Sequence, residues 1–149
     1  MPKILSLRVV LCALALMTLA AVGGALAQSI SLAGSWSGKY LYADGRTSVA
    51  FNLNLAEVNG SCAGRSSEPN TFGNKSSPYL YANIMCPTLA VTPGAQFTFH
   101  KQYDGTGGVS HGVDYSGIVS ADGNSVAGNW VIVSANSRST GAFSMERSH

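Results

Sequence analysis

The chain has 149 residues, of which 11% are charged, and a formal net charge of +2. Lys3 and Arg8 supply that charge, so from residue 28 onward seven basic side chains balance seven acidic ones. Such a surface lacks the basic footprint that nucleic acid or an anionic membrane demands, and the many glycines and aromatics indicate a compact, turn-rich domain rather than disorder.

The first 27 residues form a separate object. "MPKILSLRVV" carries Lys3 and Arg8, "LCALALMTLAAV" is apolar, and Ala25-Leu26-Ala27 is an Ala-x-Ala site. This order is that of a secretory signal peptide cleaved before Gln28. The apolar run is short for a membrane span. Cys12 lies inside it rather than at the cleavage point, so neither a lipid anchor nor a stable membrane anchor is expected. The expected organisation is a signal peptide over 1–27 and one domain over 28–149, in the periplasm or secreted. Two cysteines remain in that domain, Cys62 and Cys86. In an oxidising compartment an even pair predicts a disulfide, and closing a loop of this length contributes about 3.5 kcal/mol in the chain-entropy account.

After Gln28 the apolar pattern repeats every second residue. "SWSGKYLY" aligns Trp36, Gly38, Tyr40 and Tyr42 on one face. "SVAFNLNLAEV" does the same for Val49, Phe51, Leu53 and Leu55, and "SCAGRSS" is a short polar candidate. "YLYANIMC" aligns Leu80, Ala82 and Ile84, and "QFTFHKQY" aligns Phe97, Phe99, Lys101 and Tyr103. "HGVDYSGIV" aligns Val113, Tyr115, Gly117 and Val119; "SVAGNWVIV" aligns Val126, Gly128, Trp130 and Ile132. "GAFSMER" closes the series with Phe143, Met145 and Arg147. Turn pairs such as Asp44-Gly45, Asn59-Gly60 and Asp122-Gly123 separate the runs. The prediction is an all-β fold, an eight-stranded antiparallel up-and-down β-barrel, with a two-sheet β-sandwich as the alternative.

"KQYDGTGGVSHGVDYSG" tests for chemistry. A phosphate loop needs Gly-Lys-Ser/Thr before a helix, and a dinucleotide loop needs G-x-G-x-x-G in a βαβ unit; neither is present. Positive φ in a hairpin loop explains the glycines better. A metal reading would use Asp104, His111 and Asp114, but His111 and Asp114 have opposite parity, so no metal site is expected. No Gly-x-Ser-x-Gly elbow occurs. The carboxylates Glu57, Glu68, Asp114 and Glu146 are not placed by pattern in a common cleft. No catalytic residue and no cofactor is predicted. The sequons at Asn59 and Asn74 serve only as support for exposed turns.

The "LAGSWSG" stretch, with Gly34 and Trp36 in a Gly-x-Trp, resembles the opening strand of the calycin group, which includes lipocalins and avidins. The resemblance implies an eight-stranded barrel with the tryptophan packed at one end and a small ligand inside. Periplasmic inhibitors of secreted metalloproteases are also small Gly-x-Trp barrels with one disulfide, and they insert an N-terminal strand into the protease. Here only Gln28 to Ala33 precede the motif, which is short for that purpose.

The expected function is that of an exported barrel binding a small apolar or amphipathic ligand in its interior. The predicted ligand-binding residues are Trp36, Tyr40, Phe51, Phe97, Phe99, Lys101, Tyr115, Trp130 and Phe143. Leu53 and Met145 share that wall. These side chains either line a pocket or fill a core. Lys101 and Arg147 either anchor an anionic head or reach out at a mouth of the barrel. The alternatives are a protein-interaction module such as a periplasmic protease inhibitor, its partner unspecified, and last an enzyme of unknown type.

Overall fold

The computed structural model describes residues 28–59, 61–134 and 137–149. The expected signal peptide, 1–27, lies outside the described residues. The strands are β1 (Ile30–Ser31), β2 (Gly34–Tyr42), β3 (Val49–Val58), β4 (Ser61–Pro69), β5 (Tyr79–Cys86), β6 (Ala90–Val91), β7 (Gln96–Tyr103), β8 (Gly112–Val119), β9 (Ser125–Ser134) and β10 (Ser137–Arg147). Eight of them close an antiparallel barrel in the order β10-β2-β3-β4-β5-β7-β8-β9. Closure decides between the two predicted architectures: β10 pairs with β2, so the eight long strands form one closed sheet rather than the two facing sheets of a sandwich.

Two strands were not expected. β1 and β6 pair with each other as a separate two-stranded sheet, Ile30 opposite Val91. Two residues are too few for a period of two to show. The short polar strand also runs further than "SCAGRSS", to Pro69, which lets Glu68 keep the inward parity of Cys62, Gly64 and Ser66. β8 begins at Gly112, one residue after the expected His111.

The β10–β2 register places Arg147 opposite Trp36, Met145 opposite Gly38 and Phe143 opposite Tyr40. The interior is filled. Trp36, Leu80, Phe97, Val126 and Met145 are all at most 2% exposed, whereas walls of a ligand-sized hollow would keep surface that water can reach. Phe99 and Tyr115 stack at 4.5 Å, and Phe143 meets both rings edge-on at 5.9 and 5.1 Å. Gly38 makes room for this packing: a Cβ there would lie 2.4 Å from the Phe51 ring.

The two ends differ. At one end β1, β6 and the chain between β5 and β7 bring Leu32, Leu89 and Val91 over the interior, all buried. Trp36 Nε1 donates to the Leu32 carbonyl at 2.9 Å. Arg147 lies 4.6 Å above the Trp36 ring and donates to the Ala33 and Ser31 carbonyls at 2.7 and 2.9 Å. Gly34 belongs to this plug: its φ of 121° lies outside the range that other residues favour. The Cys62–Cys86 disulfide joins directly paired residues of β4 and β5 near the same end, with Cα atoms 5.0 Å apart. The opposite end carries the longer loops 43–48, 70–78 and 104–111.

Candidate functional site

Beneath the loop end the apolar interior is interrupted by charge. Glu68 near the end of β4 and Lys101 of β7 both point inward and are each 2% exposed. The Lys101 ammonium donates to Glu68 Oε2. The other carboxylate oxygen accepts from the Tyr40 hydroxyl at 3.0 Å and from the Tyr103 hydroxyl at 2.5 Å. Lys101 Nζ also lies 4.5 Å from the centre of the Tyr103 ring. Four strand residues from β2, β4 and β7 therefore form one closed polar cluster. Two positions along β4, the Ser66 hydroxyl is buried and has no hydrogen-bond partner among the described residues.

The electrostatics follow from burial. Desolvation lowers the Lys101 pKa, with the Glu68 charge and hydrogen bond opposing. Desolvation raises the Tyr40 and Tyr103 phenols far above their ordinary range, and the Glu68 charge adds to the effect. Both phenols therefore remain protonated donors. An ion pair this deep gains attraction but pays for the loss of water, so its presence in a core is no stabilising device in itself.

Two loops roof one half of this end. The Asn74 amide N–H donates to the Gly107 carbonyl at 2.7 Å. Phe72 lies 5.9 Å from the Tyr103 ring and 6.0 Å from His111. The glycine-rich stretch is a turn containing a short 3-10 segment, and Gly105, Gly107 and Gly108 all have positive φ, as expected. Over the other half, residues 43–48 are exposed. There Tyr42 is half-buried, 5.1 Å edge-on from Trp130, and Arg46 lies 3.8 Å over its outer face. Asp44 holds Arg46 by two contacts of 3.0 and 2.9 Å.

All nine predicted ligand-binding residues are buried, but they do not form one site. Tyr40, Phe51, Lys101 and Trp130 gather toward the loop end; Tyr40 lies 6.4 Å from Phe51 and 6.0 Å from Trp130. Phe99, Tyr115 and Phe143 fill the middle. By register, Trp36 and Phe97 belong toward the plugged end. Lys101 does not reach out of the barrel, because Glu68 engages it inside; Arg147 caps the plug instead. Glu57, Asp114 and Glu146 are exposed and share no cleft with Glu68, whose place beside Lys101 was not anticipated from the sequence. Its signal was available: period two counted from Cys62 through Ser66 reaches Glu68 before Pro69 stops the strand. Tyr103 shared the parity of Lys101 throughout.

Asp104, His111 and Asp114 stay apart in role. Asp104 accepts from the Thr106 amide at 3.0 Å within its own turn. Asp114 lies on the outer face with His100 at 2.7 Å, while His111 sits beside Phe72 and Tyr103. Among the described residues no helix is long and apolar enough to cross a membrane. No protein-family model, curated protein or solved structure matches this chain.

Proposed function

We propose that the chain is an exported, calycin-like binding barrel that takes a small amphipathic ligand at its loop end. One observation carries the reading. A mostly apolar interior holds a buried ion pair, Glu68 and Lys101, with the Tyr40 and Tyr103 hydroxyls donating to the carboxylate, under that end. A core needs no such cluster, since apolar side chains of similar volume fill the same space without desolvating charge. Buried groups with displaced ionisation gather at functional sites more than elsewhere.

A ligand with both a donor and an acceptor in its head exchanges partners with Lys101 and Glu68. Its apolar body replaces contacts among Tyr40, Phe51 and Trp130. The interior is filled, so entry requires side chains to move. Tyr42 and Arg46 cover the route most loosely, being half-buried and exposed on an exposed loop. Trp36 at the opposite, plugged end agrees with what the calycin resemblance implies. The Ala-x-Ala site and the disulfide support export, and the closed hydrogen bonding of Glu68 supports binding over catalysis.

The test is thermal unfolding of the oxidised domain with decanoate and with indole-3-acetate. A rise in Tm with either probe, abolished in the Lys101→Met/Glu68→Leu double variant, is the expected outcome. No rise with either probe would defeat the reading.

A further inference from the structure

The outer face of β2 to β5 carries a second, different surface. Register places Ser37, Asn52, Ser67 and Tyr81 in one row across four adjacent strands. The next outward row is Ser35, Asn54, Arg65 and Asn83. With strands about 4.8 Å apart, each row spans about 14 Å. Six of these eight residues, all but Ser37 and Asn83, line a shallow open groove of about 450 Å³, and Ser148 of the C-terminal tail lies at one side of it. Ser148 is fixed there by a 2.8 Å hydrogen bond between its hydroxyl and that of Ser37, and by its amide donating to the Ser35 carbonyl at 2.9 Å.

The chemistry of the floor is unusual for an outer strand face. Asparagine is depleted in strands, yet three stand here, against one, Asn129, elsewhere on the outer face of the described strands, where Leu41, Met85 and Ile118 are exposed as well. The grid holds no carboxylate, and its one charge, Arg65, donates to Asn83 Oδ1 at 2.6 Å. Asn54 donates to Ser35 at 3.0 Å, which fixes both side chains. Among the described residues, the Asn52 amide nitrogen and the hydroxyls of Ser67 and Tyr81 donate to no other side chain. At the end of its row Tyr81 leaves 43% of its surface exposed, an apolar ring beside a bed of groups that both donate and accept.

We infer that this groove binds a neutral oligosaccharide. A sugar ring offers one face of C–H bonds, which a tyrosine ring covers, and a rim of hydroxyls, which amides and hydroxyls satisfy in both directions. A phosphate or a strongly acidic chain would be met by several cations, and an apolar peptide by aliphatic side chains; the grid has neither. The site lies on the outside of the wall and is independent of the loop-end ligand.

The experiment is native affinity electrophoresis of the oxidised domain in gels containing laminarin, hydroxyethylcellulose or dextran, with alginate as the acidic comparison. Retardation is expected in at least one neutral gel. Tyr81→Ala and Asn52→Ala should each weaken it about tenfold in apparent affinity, while Ile118→Ala, at an exposed position on β8 outside the groove, leaves it unchanged. All the altered side chains are exposed, and unchanged melting of each variant confirms that the barrel is intact. Three results overturn the inference: no retardation in any neutral gel, retardation in alginate alone, or retardation that survives both groove variants.

Discussion

The two ends of the barrel solve the same problem by opposite means. Each must keep water out of a stack of aromatic rings. The plugged end does so with apolar residues from β1, β6 and their neighbours, held by backbone hydrogen bonds to Trp36 and Arg147. The loop end instead buries a charged pair and two phenols, and covers part of them with one tyrosine and one exposed arginine. The first arrangement is what stability alone would favour. The second gives up part of that stability, and this contrast is the reason to look for a ligand at the loop end.

The sharpest way to break the comparison is to remove one member of each arrangement. Trp36→Ala empties the plug and should cost about 3–5 kcal/mol in a denaturant titration. Lys101→Met leaves Glu68 charged and buried, and should cost a similar ~3–5 kcal/mol. The difference appears in the second step. Adding Glu68→Leu to Lys101→Met should return most of the loss, because the pair is then replaced by apolar bulk. No companion change at the plug has that property. A double variant as unstable as Lys101→Met alone would show that the cluster supports the fold rather than interrupting it.

The disulfide comes next. Replacing Cys62 and Cys86 together by Ala should cost about 3.5 kcal/mol, as the chain-entropy argument gives for a sequence separation of 24. The loss acts on the unfolded chain and so should not alter the cluster. Its signature is a lower midpoint with the Trp130 emission of the folded state unchanged.

Much of this architecture was legible in the sequence. Seven of the eight long strands have one apolar parity, and turn residues separate all eight, so most inward faces follow from period two. Closure was only the preferred reading, since a two-sheet sandwich buries the same faces, and the pairing of β10 with β2 decides it. The plug was not legible, because β1 and β6 are each two residues long and pair only in three dimensions. The polar cluster lay in between. Lys101 and Tyr40 stood on inward parity, but their partner sat on the one strand that looked polar and short. Parity counted from Cys62 reaches Glu68 only if the strand runs on past Ser67, and the register of β4 against β5 shows that it does.

A pH series separates the ends more gently. Burial first, and the Glu68 charge second, hold Tyr40 and Tyr103 above the ordinary value of 10.0. As pH rises past about 10, the unfolded chain loses phenol protons that the folded chain keeps, so stability falls. Lys101 has the opposite sign. Burial holds it below 10.5, so between its folded value and 10.5 the unfolded chain binds more protons and stability rises with pH. The two phenols outweigh the one ammonium above about pH 10. The expected curve therefore turns downward there, and Tyr103→Phe should make the fall shallower, whereas Trp36→Phe should leave its slope unchanged. Denaturant midpoints collected from pH 7 to 11 measure both.

The smallest effect is expected from Arg46, and it bears most directly on how the loop end opens. Arg46 is exposed, pairs with Asp44 and lies over the ring of Tyr42. An exposed pair of this kind contributes little to stability, so Arg46→Ala should leave the unfolding midpoint within experimental error. Its loss uncovers Tyr42, which packs edge-on against Trp130. Greater freedom of Tyr42 lets water reach the indole, so Trp130 should become easier to quench with acrylamide while Trp36, sealed beneath Arg147, does not. Single-tryptophan versions, each with the other indole changed to Phe, assign the signal. Unchanged quenching of Trp130 in Arg46→Ala would mean that Tyr42 is held by the barrel itself, and the entry route would then have to lie under the Phe72 loop instead.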